Sequence, residues 1–172
     1  MRAALELFGD HGYSSTTAAA IAERAGVTEM TFFRHFPSKE SVLLADPYDP
    51  LIADAITRQP AGLPSLAAAI GGVADAWKSV PPPVSAEVRQ RLRIVSQAPS
   101  LRGALARNGA ATEEAMAGAL RARGIVAAEA RIAAAATMGA LSAALLAWAE
   151  GEDPDLGTAI ASASRVLRGE LP

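Results

Sequence analysis

Apolar residues recur three and four positions apart along almost the whole chain, and nowhere alternate with polar ones over the length of a strand. That period places them on one stripe of a helix, so the pattern predicts an all-α fold. A first helix is expected over about residues 2–10, with Ala4, Leu5 and Phe8 inward, ending at the Gly12-Tyr13 corner. Ser15 and Thr16 offer an N-cap for a second helix from Thr17 to Ala25, Gly26 turns the chain, and Thr28 caps a third helix ending near His35. Pro37-Ser38 opens a fourth. Asp46-Pro47-Tyr48-Asp49-Pro50 breaks it, because each proline disfavours helix in the residue before it. The period resumes at Leu51 and stops at Pro60. Further helices are expected over about 63–79, 84–97, 100–123, 127–149 and 155–167, with Pro81-Pro82-Pro83 as a rigid connector.

Residues 16–45 carry the strongest local signal. Two short helices joined by a tight turn with a glycine in it form a helix-turn-helix. Gly26 can take φ > 0 without a Cβ clash. Ile21, Ala25, Val27 and Phe32 fall where the two helices must pack, and Ala22 is small where they cross. Thr28, Glu29, Met30, Thr31 and Arg34 are left pointing outward. An ordinary helical hairpin fits the same spacing, so the pattern alone leaves both readings open.

Composition narrows the function classes. Half of the 172 residues are hydrophobic (51%) and 20% are charged, which allows a substantial core and argues against disorder. With no cysteine, disulfides, thiolate metal sites and cysteine nucleophiles are excluded, and a reducing cytoplasm suits the chain. Glu6 and Asp10 interrupt the first apolar stretch and no small-residue cleavage site follows, so no signal peptide is expected. The two histidines, His11 and His35, stand in no HExxH or triad-like setting, and the glycines form no phosphate loop. Neither an enzyme, a cofactor nor a metal site is expected. Residues 132–149 are uncharged and near spanning length, but mostly Ala, Gly, Ser and Thr without an aromatic belt. A buried helix packing on its symmetry mate, with Leu156, Ile160 and Leu167, is expected rather than a membrane span.

Charge points the other way from the motif. Net charge is −2, and residues 1–45 carry four basic against five acidic side chains, whereas a DNA reader normally has a basic footprint.

Thr31-Phe32-Phe33-Arg34-His35-Phe36-Pro37-Ser38-Lys39-Glu40 resembles the signature of TetR-family regulators, and the similarity extends upstream through Gly12, Tyr13, Thr16, Thr17, Ile21, Ala22 and Gly26. The Asp-Pro break and the Ala98-Pro99-Ser100-Leu101-Arg102 run resemble the branch containing the regulator of the mycofactocin system. The resemblance implies a helix-turn-helix DNA-binding domain over 1–45 and a helical effector-binding and dimerisation domain over 46–172. It implies a repressor that leaves a palindromic double-stranded operator when a small hydrophobic or amphipathic effector binds. Carried over position by position, Thr17 and Thr28 would touch phosphates and Glu29, Met30 and Thr31 would face base edges beside Arg34. Phe33 and His35 would lie along the backbone, and Lys39 would pair with a phosphate.

The effector pocket would draw on Leu66, Ile70, Val73, Trp77, Val88, Leu92, Val95, Leu105, Met116 and Leu120, residues that equally suit a plain core. Arg89, Arg91, Arg93, Arg102 and Arg107 suit the phosphates of an acyl thioester, or a solvated face. A homodimer through the last two helices follows from the same resemblance, and the broken fourth helix is the expected moving element.

Three departures from the family pattern thin the expected grip on DNA. Phe33 stands where the family has tyrosine, Ala18-Ala19-Ala20 cannot reach a base, and an arginine-bearing arm is expected ahead of Met1. Few cations predict a shallow salt dependence. The rival reading is a helical small-molecule sensor with weak or lost DNA binding.

Overall fold

The structure is a computed structural model that describes residues 1–44, 48–79, 84–153 and 155–170. Among these, every regular element is a helix: α1 Arg2–His11, α2 Ala18–Arg24, α3 Glu29–His35, α4 Lys39–Leu44, α5 Asp49–Thr57, α6 Ser65–Lys78, α7 Val84–Gln97, α8 Pro99–Ala122, α9 Ala127–Glu150 and α10 Leu156–Leu167. The all-α expectation holds. The break at Asp46-Pro47, the Pro81–Pro83 connector and the side chain of Arg102 lie outside the described residues. Helix α5 begins at Asp49 rather than Leu51, because Pro50 occupies its first turn, where a missing N–H costs no helical hydrogen bond.

The chain divides into two units, and the division is not a single cut. One unit joins Met1–Ala45 to Glu87–Asn108; the other joins Asp46–Ala86 to Gly109–Pro172. In the first, Leu5, Phe8, Ile21, Phe32, Val42 and Leu43 share a core with Ile94, Val95, Ala98, Leu101 and Ala104. Apolar stripes from α1 to α4 thus close over the segment spanning α7 and the start of α8.

In the second unit Ile56, Met116 and Leu120 are fully buried, packed with Ala68, Ala69 and Val73 of α6, Ala130, Ala133 and Ala134 of α9, and Ile160 of α10. Helix α6 can lie tight on α5 because Gly72 has no Cβ to meet the backbone of Ile56. The α5 C-terminus is closed by a side chain from far along the chain. Arg123 Nη1 donates to the carbonyls of Gln59 (2.5 Å), Ile56 (3.2 Å) and Thr57 (3.3 Å), and its Nη2 donates to that of Pro60 (2.7 Å). Ile56 and Thr57 are in the last turn of α5, where carbonyls lack intrahelical N–H partners, and Gln59 and Pro60 continue the chain just beyond it.

Helix α9, expected to be buried against a symmetry mate, is largely open within its own chain. It is long and apolar enough to cross a bilayer by length and composition, yet only 28% of its apolar window is buried within the chain. Ile132 is 70% exposed. Leu156 and Ile160, expected at a partner, are instead buried within their own chain, because α10 packs along α9.

Candidate nucleic-acid interface

The helix-turn-helix is assembled by small polar side chains that satisfy backbone groups at each helix end. Thr17, not Thr16, caps α2: its Oγ1 accepts from the Ala20 N–H at 3.1 Å. Thr16 is buried, and its hydroxyl donates to the carbonyls of Gly12 (2.9 Å) and Leu7 (3.2 Å), closing the end of α1. After α2 the Gly26 N–H bonds Glu23 O and the Val27 N–H bonds Ala22 O, with Gly26 at φ +70°. This pair of bonds needs a left-handed residue at its centre, which explains the glycine. Thr28 then caps α3, accepting from the Thr31 N–H at 3.2 Å. Ala25 and Val27, expected between the helices, are exposed; this tight turn directs them outward, and Ile21, Ala22 and Phe32 alone make the packed seam.

Helix α3 therefore shows one open face. Glu29, Arg34 and His35 are exposed, Met30 is 84% and Phe33 46% exposed, and Thr31 is half-buried beneath Thr28. Phe32 turns into the core and meets Phe33 edge-on at 5.3 Å and Phe36 at 5.5 Å. The cap hydroxyl of Thr17 spends a lone pair on a backbone N–H, which leaves its O–H able to donate to a phosphate oxygen.

Lys39 is placed differently from its expected role. Its ammonium donates to the carbonyls of Tyr13 (2.9 Å) and Thr16 (3.0 Å) and sits 4.2 Å from the Tyr13 ring centroid. Beside it the Tyr13 hydroxyl donates to Glu40 Oε1 at 2.5 Å. Lys39 and Glu40 together pin the start of α4 to the α1–α2 turn. Burial, then the hydrogen bond to Glu40 and its negative charge, push the Tyr13 hydroxyl well above the usual phenol range. The bonds from Tyr13 and then Ser38 hold the Glu40 carboxyl below its ordinary value of 4.5, against a smaller opposing effect of burial. Sequence reading missed this cluster; the only signal was a polar pair, Lys39-Glu40, opening a short helix.

A depressed carboxyl pKa stabilises the fold above the unfolded value, and the contribution disappears as pH falls through the folded one. Glu40→Gln is expected to destabilise the chain by about 1 kcal/mol at pH 7, with the gap narrowing as pH falls toward 3. Thermal melts at the two pH values check this; a gap that persists in acid would show that the charge is not what matters.

Electrostatics change once the unit is taken as folded. Arg2 (3.8 Å) and Arg24 (2.9 Å) both pair with Glu6, and Lys39 is turned inward. Among the described residues, Arg34 is the head cation on the open face. The segment Glu87–Asn108 adds five arginines, Arg89, Arg91, Arg93, Arg102 and Arg107, and one acidic residue, Glu87, to the count. The unit holding the helix-turn-helix thus carries nine basic and six acidic side chains, net +3, and the rest of the chain is net −5. The count over 1–45 is acidic because it leaves out residues 87–108, which join the same unit.

Of the effector-pocket residues, Val88, Leu92, Val95 and Leu105 belong to the first unit and the other six to the second. Ile70, Val73, Met116 and Leu120 are buried in packed surroundings, while Leu66 and Trp77 are half-buried. A shallow recess of about 330 Å³ lies between α8 and α9, lined by Glu113, Ala128, Arg131, Ile132 and Ala135.

Comparison with known proteins agrees with this geometry. A model of the family described as bacterial regulatory proteins, tetR family, matches residues 1–45, and one described as the MftR C-terminal domain matches residues 63–172. The HTH-type transcriptional regulator TcmR of Streptomyces glaucescens is 47% identical over 64 residues, a stretch that covers 36% of this chain and 28% of that protein. The fold is similar to FadR of Bacillus halodurans (TM-score 0.58, 19% identity, covering 99% of this chain and 93% of that one). It is also similar to FadR of Thermus thermophilus, solved in complex with lauroyl-CoA (TM-score 0.51, 22% identity, covering 99% and 92%). With its head and its body each matched, the chain belongs to the TetR family of bacterial regulatory proteins, with a C-terminal domain of the MftR type, and is a transcriptional regulator rather than an enzyme.

Proposed function

We propose that this regulator is a cytoplasmic homodimeric repressor that leaves a palindromic operator when an acyl-thioester-like effector binds. The observation that carries the DNA half is the open face of α3, whose Glu29, Met30, Thr31 and Arg34 are available to base edges in a major groove. Thr17, Thr28, Phe33 and His35 flank that face and would meet phosphates and sugars. Lys39, with two ammonium protons committed to carbonyls, has one left for a phosphate. The net +3 of the reading unit favours this over a sensor without DNA binding.

Support for the dimer comes from α9. Ala128, Ile132, Ala136, Gly139, Ala143 and Ala147 are exposed along one stripe, and no charged residue falls between Arg131 and Glu150. An uncharged surface of that length on a soluble regulator is a partner's place. Two copies joined there would offer two recognition helices to successive major grooves, about 34–36 Å or a multiple apart. Support for the effector class is the lauroyl-CoA held by the Thermus thermophilus relative of similar fold, and the arginines of α7 and early α8.

The test starts from a pool of random duplexes. The chain should enrich an inverted repeat, and saturating lauroyl-CoA should weaken its binding at least tenfold, the repeat weakening lauroyl-CoA by the same factor. If no sequence is enriched even at low salt, the sensor reading replaces this one. Equal affinity with and without lauroyl-CoA would remove the acyl-thioester class and leave the DNA reading standing.

A further inference from the structure

We propose that Arg91 and Asn108 are positioning residues for DNA recognition: they grip the C-terminal end of α4 and so hold the recognition helix in its reading pose without touching DNA. This deepens the DNA-binding reading and rests on it.

Helix α4 has only six residues, too few to hold itself, so it depends on contacts at its ends. Its last carbonyls have no intrahelical N–H to meet. Two of them are met by side chains some fifty and sixty positions away. Arg91 Nε donates to Leu43 O at 2.8 Å, and Asn108 Nδ2 donates to Leu44 O at 2.6 Å. A guanidinium at that end also opposes the negative pole of the helix. The N-terminal end is held by Lys39 and Glu40 on the α1–α2 turn, immediately before the cap of α2. Between the two grips, Val42, Leu43 and Leu44 lie in the same core as Ile21 and Phe32. A third long-range bond, Gln90 Nε2 to Leu5 O at 3.2 Å, ties the α7 segment to α1.

Helix α4 is thus a strut under the α2–α3 pair, fixed at both ends by polar bonds and along its length by apolar packing. A carbonyl bond is directional where apolar packing is not, so these two donors set where the strut ends. The polar groups at its other end, Lys39 and Glu40 with Tyr13, are local in sequence to α4 or the head. Arg91 and Asn108 are the polar groups on α4 that the chain supplies from elsewhere.

The test uses the full chain and the inverted repeat that the wild type enriches from the random pool. Arg91→Met keeps the stem and removes the donor; Asn108→Asp keeps the shape and turns the donor into an acceptor facing Leu44 O. Each is expected to lower affinity about tenfold, measured well below its melting temperature so that reduced stability alone changes nothing. The slope of log affinity against log salt should stay unchanged, whereas loss of a phosphate contact would reduce it by about one. Arg91→Lys should recover most of the affinity. Amide exchange should quicken in α3 and α4 while α9 and α10 keep their protection.

Unchanged affinity in both variants overturns the proposal, and so does a reduced salt slope, which would make these residues DNA contacts. Loss of helicity by both would overturn it too, since they would then hold the fold rather than aim the head. If the wild type enriches no duplex, the DNA-binding reading fails and the proposal falls with it. Equal affinities leave that reading intact and remove only the positioning role.

Discussion

Gly72→Ala is expected to destabilise the chain by about 2 kcal/mol or more, although alanine is the better helix former. On propensity alone the change should gain about 1 kcal/mol, because Gly72 lies inside α6. Packing decides the sign. A Cβ at that position would stand 2.8 Å from both Cα and N of Ile56 and closer still to its Cγ1. Backbone atoms cannot rotate away, so α5 would have to back off from α6. That movement opens the core around Ile56, whose side chain is fully buried. Overpacking of this kind costs about 1–3 kcal/mol and more where the neighbour is backbone. The matched control is Gly118→Ala in α8, where the new methyl group would meet only the far end of Arg121 at 3.7 Å. That variant should gain up to about 1 kcal/mol. Urea unfolding followed by helicity compares the two; equal midpoints would mean that α5 and α6 are not in close approach.

The helices themselves were legible because each signal is local. An apolar stripe at helical spacing, a threonine before it and a glycine after it all sit within one or two turns of what they specify. What the stripe lacks is the identity of its partner. Val88, Leu92, Val95 and Leu105 look the same in sequence as Leu66, Ile70, Val73 and Met116, yet the first four belong with the helix-turn-helix and the rest with the other unit. The same blindness misplaced the charge: counting a contiguous head gave an acidic domain, and the folded unit is basic because five arginines join it from residues 89–107.

The candidate site divides along the same line. The open face of α3 follows from its period and its cap, so its residues could be named from the pattern. The role of Lys39 could not, since its bonds to Tyr13 and Thr16 span more than twenty positions. One-residue errors have a smaller cause. Thr16 and Thr17 are chemically the same cap, and only the Gly12 corner, which brings the Thr16 hydroxyl onto the carbonyls of Leu7 and Gly12, decides which of them opens α2.

Ala143→Arg should turn a homodimer into a monomer and cut operator affinity by two to four orders of magnitude. Ala143 is exposed in the middle of the uncharged stripe on α9, four residues beyond Gly139 and four before Ala147. In a two-fold interface each residue on or near the axis meets its own copy, so one substitution places two guanidinium groups in an apolar contact. No charged side chain of α9 lies within six residues of Ala143, the nearest being Glu150 about two turns away. An uncompensated buried charge costs about 3–5 kcal/mol, enough to raise a dimer dissociation constant by two to three orders or more. The effect on DNA binding is larger still, although Ala143 touches no DNA. A dimer binds its second half-site at the effective concentration set by the first, and a monomer forfeits a factor on the order of 10²–10⁴. Helicity should be unchanged, since the side chain points away from the chain's own core. Ala110→Arg on α8, exposed but off the stripe, should remain dimeric and bind as the wild type does. Sedimentation velocity reads the first effect and titration of the inverted repeat the second. If Ala143→Arg stays dimeric, the partner lies on another surface. If it becomes monomeric without loss of affinity, the reading heads act singly and the palindrome is not what this regulator recognises.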